Sequence, residues 1–137
     1  ATGKDHPWLQ CSTNSTFDPC RDNLDGVQCD RGRIYSIEQE ACNLRGSLSN
    51  IRLCELPKLR FLSLRNQELS GVCASFDGCS VLEHLDLSNN KLQGHLPTLS
   101  SSSKLRHLAL NANKFSGNLP ESWSKLISLE QLWAFGN

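Results

Sequence analysis

Leu82-Glu83-His84-Leu85-Asp86-Leu87-Ser88-Asn89-Asn90 carries leucines at i, i+3 and i+5 and an asparagine at i+8. The spacing recurs as Leu59-Leu62-Leu64-Gln67, Leu105-Leu108-Leu110-Asn113 and Leu129-Leu132-Ala134-Asn137. A weaker copy precedes them at Ile34-Ile37-Gln39-Cys42. Starts at 34, 59, 82, 105 and 129 lie 25, 23, 23 and 24 residues apart. A fixed period in the twenties predicts stacked units, each burying its apolar face against its neighbours. Such a solenoid works through its exposed surface, so recognition rather than catalysis is the first expectation.

Within each copy the run x-Leu-x-Leu-x alternates with period two, which predicts a short strand with its leucines on one side. Successive strands would stack into a parallel sheet about 4.8 Å apart. The residue at i+8 falls where the chain leaves the strand, and its amide can pair backbone groups that the turn leaves open. Cys42, Gln67, Asn90, Asn113 and Asn137 therefore read as one internal ladder, with Cys42 as a buried thiol in place of Asn. Substitution of Asn90 or Asn113 is expected to be costly, whereas Ser88 and Asn111 are expected to be exposed and tolerant. The second half of each rung repeats as Leu44-Arg45-Gly46, Leu69-Ser70-Gly71, Leu92-Gln93-Gly94 and Phe115-Ser116-Gly117. Glycine permits a tight turn there, and Leu96-Pro97 and Leu119-Pro120 favour extended backbone over helix. The expected fold class is an α/β-type solenoid with a parallel concave sheet, a mostly irregular or extended outer side and a disulfide-stapled N-terminal cap.

The chain of 137 residues is one domain's worth, and 38% hydrophobic content suits a thin core running along a stack. Lys plus Arg equals Asp plus Glu at 14 each, so no basic field exists for nucleic acid or an anionic membrane. No run reaches the roughly 18 apolar residues of a membrane span. The sequence begins at Ala1, which reads as a mature or trimmed product. Seven cysteines and the sequon Asn14-Ser15-Thr16 favour the secretory pathway, hence a secreted or cell-surface location with Asn14 glycosylated.

Residues 1–33 lack the repeat and read as an N-terminal cap; about five rungs fill 34–137. A small cap has too little apolar mass to hold itself together, so a Cys20–Cys29 disulfide is expected, contributing roughly 2.5–3 kcal/mol. Cys73 and Cys79 bracket one outer segment, and a local bridge between them is the preferred reading. No histidine stands near the pair to make a zinc site. Cys11, Cys42 and Cys54 are left over, so at least one cysteine is unpaired or bonded to another chain.

The consensus Leu-x-x-Leu-x-Leu-x-x-Asn-x-Leu-x-Gly-x-Leu-Pro over residues 18–137 resembles the plant-type extracellular leucine-rich repeat. It is similar to ectodomains of plant receptor kinases and receptor-like proteins, and to polygalacturonase-inhibiting proteins. Asp18-Pro19-Cys20 with Gly26-Val27-Gln28-Cys29 resembles the paired-cysteine cap before their first repeat. The segment Leu119-Pro120-Glu121-Ser122-Trp123 also resembles leucine-rich repeat surface antigens of protists. Gln67 and Gln39 depart from the pattern, standing for the ladder Asn and a strand leucine, and Val72-Cys73-Ala74 stands where other rungs have x-Leu-Pro.

The outward strand residues form three concave columns. These are Ser36-Phe61-His84-His107-Gln131, then Glu38-Ser63-Asp86-Ala109-Trp133, then Glu40-Arg65-Ser88-Asn111-Phe135. Glu38, Glu40, Phe61, Arg65, His84, Asp86, His107, Asn111, Trp133 and Phe135 are the candidate ligand-binding residues; the competing reading is ordinary solvated surface. Exposed aromatics are the better anchors because they bury large area at modest entropy cost. His84 and His107, neighbours in one column, are either a coupled pH-sensitive contact or two ordinary surface histidines. Trp123, on the outer side, reads as packing.

No phosphate loop, zinc-protease motif or base beside the serine run 100–103 is present, and neither an enzyme nor a cofactor is expected. The leading expectation is a recognition module that takes a protein, peptide or glycan ligand on its concave face. The alternative is a structural coat or matrix component that self-associates through solenoid ends. A third reading, an inhibitor of a secreted hydrolase, follows from the resemblance alone. Rungs are expected to continue beyond Asn137, because a final strand needs a cap or a neighbour.

Overall fold

The computed structural model describes residues 18–39, 44–49 and 52–137. The strands in chain order are β1 (Val27–Asp30), β2 (Arg33–Glu38), β3 (Arg45–Ser47), β4 (Phe61–Ser63) and β5 (Glu68–Val72). They continue as β6 (His84–Asp86), β7 (Lys91–His95), β8 (His107–Ala109), β9 (Lys114–Ser116) and β10 (Gln131–Trp133). The described residues form two sheets: a six-stranded one in the order β1-β2-β4-β6-β8-β10 and a four-stranded one in the order β3-β5-β7-β9. The first is parallel from β2 onward, and β1 adds to its edge as an antiparallel hairpin partner. It is the expected concave sheet.

Between the sheets run the repeat leucines. Ile37, Leu62, Leu85 and Leu108 are fully buried in successive strands, and Leu64, Leu87 and Leu110 lie beneath them. Burying such a side chain contributes on the order of 1.5–3 kcal/mol, so this apolar column is the chief source of stability.

The ladder closes each rung onto the one before. Asn90 Nδ2 donates to Leu64 O at 2.9 Å and Leu87 O at 3.0 Å, while its Oδ1 accepts from Leu69 N at 3.1 Å. Asn113 repeats this with Leu87 O at 2.9 Å and Leu92 N at 3.0 Å, and Asn137 with Leu110 O at 3.1 Å and Phe115 N at 3.2 Å. Gln67 spans the same gap despite its extra methylene, donating to Gln39 O at 2.6 Å and accepting from Leu44 N at 2.8 Å. Cys42 lies outside the described residues. The residue before each ladder amide turns the chain in the left-handed region: Asn66 (φ 55°), Asn89 (φ 55°), Ala112 (φ 54°) and Gly136 (φ 70°).

The outer side is more regular than the sequence suggests. Glycines 46, 71 and 94 sit in register beside Leu69, Leu92 and Phe115 of the following rung, and the extended segments around them form the four-stranded sheet. Gly71 and Gly94 hold φ of 79° and 81°, which a side chain resists. Among the described residues helix is confined to short 3₁₀ turns at Leu53–Glu55 and Glu121–Lys125. Trp123 packs on the outer side, its Nε1 donating to Pro97 O at 3.0 Å. The serine run is structural: Ser100 N and Oγ donate to Asp77 Oδ1 at 2.6 Å, and Thr98 Oγ1 donates to Oδ2 at 2.8 Å. These bonds, Ser100's first, hold the Asp77 carboxyl down at about 2.

Two disulfides are present among the described residues. Cys20 and Cys29 are bonded, with Cα atoms 5.6 Å apart, and staple the cap segment to β1. The expected Cys73–Cys79 bridge is not formed: Cys79 is bonded to Cys54, one rung earlier, with Cα atoms 4.6 Å apart. Stacking brings the outer turns of neighbouring rungs, 25 residues apart in sequence here, within reach of a disulfide. Cys73 instead points into the core as a buried free thiol, and burial pushes it up to about 12. Cys11 and Asn14 lie outside the described residues.

Candidate functional site

Because equivalent residues of successive strands pair directly, the sheet turns sequence periodicity into columns. Ser36, Phe61, His84, His107 and Gln131 are register partners in that order. Partners about 4.8 Å apart bring flat side chains into contact. The Phe61 and His84 rings stack with centroids 4.1 Å apart and planes 7° apart, and His84 meets His107 at 5.5 Å with a 44° tilt. His107 Nδ1 and Gln131 Oε1 complete the column with a 2.8 Å hydrogen bond. His84 is half-buried, and that desolvation, ahead of the opposing pull of Asp86, lowers its pKa.

The second column runs Glu38, Ser63, Asp86, Ala109, Trp133. Glu38 and Trp133 are exposed at its two ends, whereas Ser63 and Ala109 are buried between larger neighbours. In the third column Arg65 and Phe135 are exposed and Asn111 is half-buried; Glu40 lies outside the described residues. Ser88 corrects an expectation, being buried rather than exposed. Its N and Oγ both donate to Asp86 Oδ1, at 2.9 and 2.6 Å, so it holds that carboxylate in place. The candidate residues thus divide into a stacked aromatic–imidazole column, a braced carboxylate and an exposed pair, Trp133 (40% exposed) and Phe135 (69%).

One row was not singled out from the sequence. At the entry edge of the strands, Arg60 donates to Glu83 Oε1 at 2.7 Å and Arg106 to Glu130 Oε1 at 2.6 Å. Tyr35 precedes them, its backbone oxygen accepting from Arg60 N at 2.8 Å. Opposite charges recurring at one repeat position were the available signal. The described residues contain no group of three or more His, Cys, Asp or Glu placed to hold a metal ion. No helix among them is long and apolar enough to cross a membrane.

A leucine-rich repeat family model matches residues 57–115. An inactive leucine-rich repeat receptor-like serine/threonine-protein kinase of Arabidopsis thaliana is 39% identical over 69 residues, which cover 50% of this chain and 10% of that protein. The chain therefore spans about a tenth of the length of that curated relative. Among solved structures, a chain of the BIR3–SERK2 complex of Arabidopsis thaliana superposes with a TM-score of 0.80 at 32% identity, covering 97% of this chain and 73% of that one. The BIR2 ectodomain gives 0.72 at 31%, covering 80% and 59%; the ectodomain of the receptor kinase SOBIR1 gives 0.63 at 26%, covering 83% and 82%.

Proposed function

The chain belongs to the plant-type extracellular leucine-rich repeat family, and from that premise we propose that it is a non-enzymatic recognition segment binding a protein ligand on its concave face. The observation that carries this reading is the Phe61–His84–His107 column beside the exposed Trp133 and Phe135. A soluble scaffold has no structural need for large aromatics on that face, and aromatic anchors dominate interface energetics. A second leucine-rich repeat ectodomain is the favoured partner, since one similar solved structure is a complex between BIR3 and SERK2. The disulfides fit an extracellular, oxidising location.

Calorimetric titration with the SERK2 ectodomain tests this, using the unmodified chain, Trp133→Ala and His84→Ala. Saturable binding that weakens about tenfold or more in either variant is the expected outcome for a hot-spot truncation. Binding indifferent to both variants would overturn the concave site. Concentration-dependent self-assembly that both variants retain would favour the structural alternative.

A further inference from the structure

Along the strand-entry border of the concave face, one groove combines shape, free charge and an apolar spacer. This groove, of about 450 Å³, is lined by Asp30, Tyr35, Lys58, Arg60, Val81, Glu83 and Lys104, and it adjoins a smaller one of about 360 Å³ that continues onto the concave residues Phe61, His84 and His107. The edge groove has three cations (Lys58, Arg60, Lys104) against two carboxylates (Asp30, Glu83), an excess of one positive charge on a chain whose formal charge is zero. Arg60 and Arg106 are occupied by Glu83 and Glu130. Lys58 and Lys104 form no ion pair among the described residues. They occupy the same repeat position two rungs apart, with Val81 at that position on the rung between.

We propose that this edge docks an acidic segment of a protein partner, whose carboxylates meet Lys58 and Lys104 while an apolar side chain covers Val81. Two rungs set the lysines' backbone positions about 10 Å apart, so the partner's acids must be separated rather than contiguous. A dense polyanion fits poorly, because a phosphate or sulfate every few ångströms would be driven onto Glu83 and Asp30. A protein segment can instead alternate acids with donors and apolar groups. The edge groove borders the concave face, but the test alters only Lys58 and Lys104, which lie in none of the concave columns.

The test is titration of the 137-residue chain with a short oligoglutamate peptide at low and high salt, with oligolysine and a sulfated oligosaccharide as competing probes. Oligoglutamate should bind saturably, and Lys58→Glu/Lys104→Glu should weaken it about fivefold or more, as expected for removing two steering charges. Lys114→Glu/Lys125→Glu, which changes net charge equally on the outer side, should leave it within about twofold. Should the edge charge reversal compromise folding, Lys58→Ala/Lys104→Ala replaces it with the same expected direction. Equal losses in the edge and outer variants, or no saturable oligoglutamate binding at low salt, would overturn the proposal. Tighter edge-dependent binding of the sulfated oligosaccharide would overturn the assignment to a protein segment.

Discussion

The imidazole of His84 lies flat on the ring of Phe61, with centroids 4.1 Å apart and planes 7° apart. A cation held there would be half-desolvated beside a second imidazole, that of His107, with Asp86 and Glu38 pulling the other way and Arg65 opposing them. Desolvation leads, so the folded pKa lies below the unfolded value of about 6.5. The unfolded state then takes up protons first as pH falls, and the contribution of His84 to stability is full above about 6.5 and lost below it. Urea melts from about pH 7.5 to 5.5 should show a steeper acid-side decline for the unmodified chain than for His84→Gln. Parallel curves would mean the stack exerts no such bias.

Asn90→Ala should destabilise the fold by about 1–3 kcal/mol, because it leaves Leu64 O and Leu69 N without a partner. Ser88→Ala should cost about 1 kcal/mol, since the buried hydroxyl donates to Asp86. Asn111→Ala should stay within about 0.5 kcal/mol. Denaturant melts of the three variants should rank them in that order.

Ala112 carries a left-handed φ of 54° at a position filled elsewhere by Asn66, Asn89 and Gly136. Ala112→Gly relieves the clash of Cβ with the following carbonyl and should raise stability by about 0.5–1 kcal/mol, net of the entropy glycine adds to the unfolded chain. A thermal midpoint at or below that of the unmodified chain would contradict this.

Thiol mapping separates the two readings of the outer cysteines. Non-reducing digestion should recover a peptide pair joining Cys54 to Cys79, and Cys73 should resist alkylation until the chain is denatured. A thiol pushed up to about 12 is almost entirely protonated and unreactive at neutral pH. Cys54→Ser/Cys79→Ser should cost about 3 kcal/mol through lost loop closure. A Cys73–Cys79 peptide pair would reverse the assignment.

What the sequence by itself determined is whatever repeats with the rung. The period placed Leu62, Leu85 and Leu108 in the core and assigned the amides of Gln67, Asn90 and Asn113 to one ladder. It also aligned Phe61, His84 and His107, because a parallel stack puts equal repeat positions side by side. What depends on the distance between rungs came only from the tertiary structure. Cys54 and Cys79 are 25 residues apart yet have Cα atoms 4.6 Å apart, a proximity created by stacking and hidden by chain separation. Ser63, Ser88 and Ala109 occupy outward positions, but larger side chains on adjacent strands cover them. The second sheet likewise arises only when the glycine turns of neighbouring rungs fall into register. Alternation says which way a residue points, and neighbours about 4.8 Å away decide whether water reaches it.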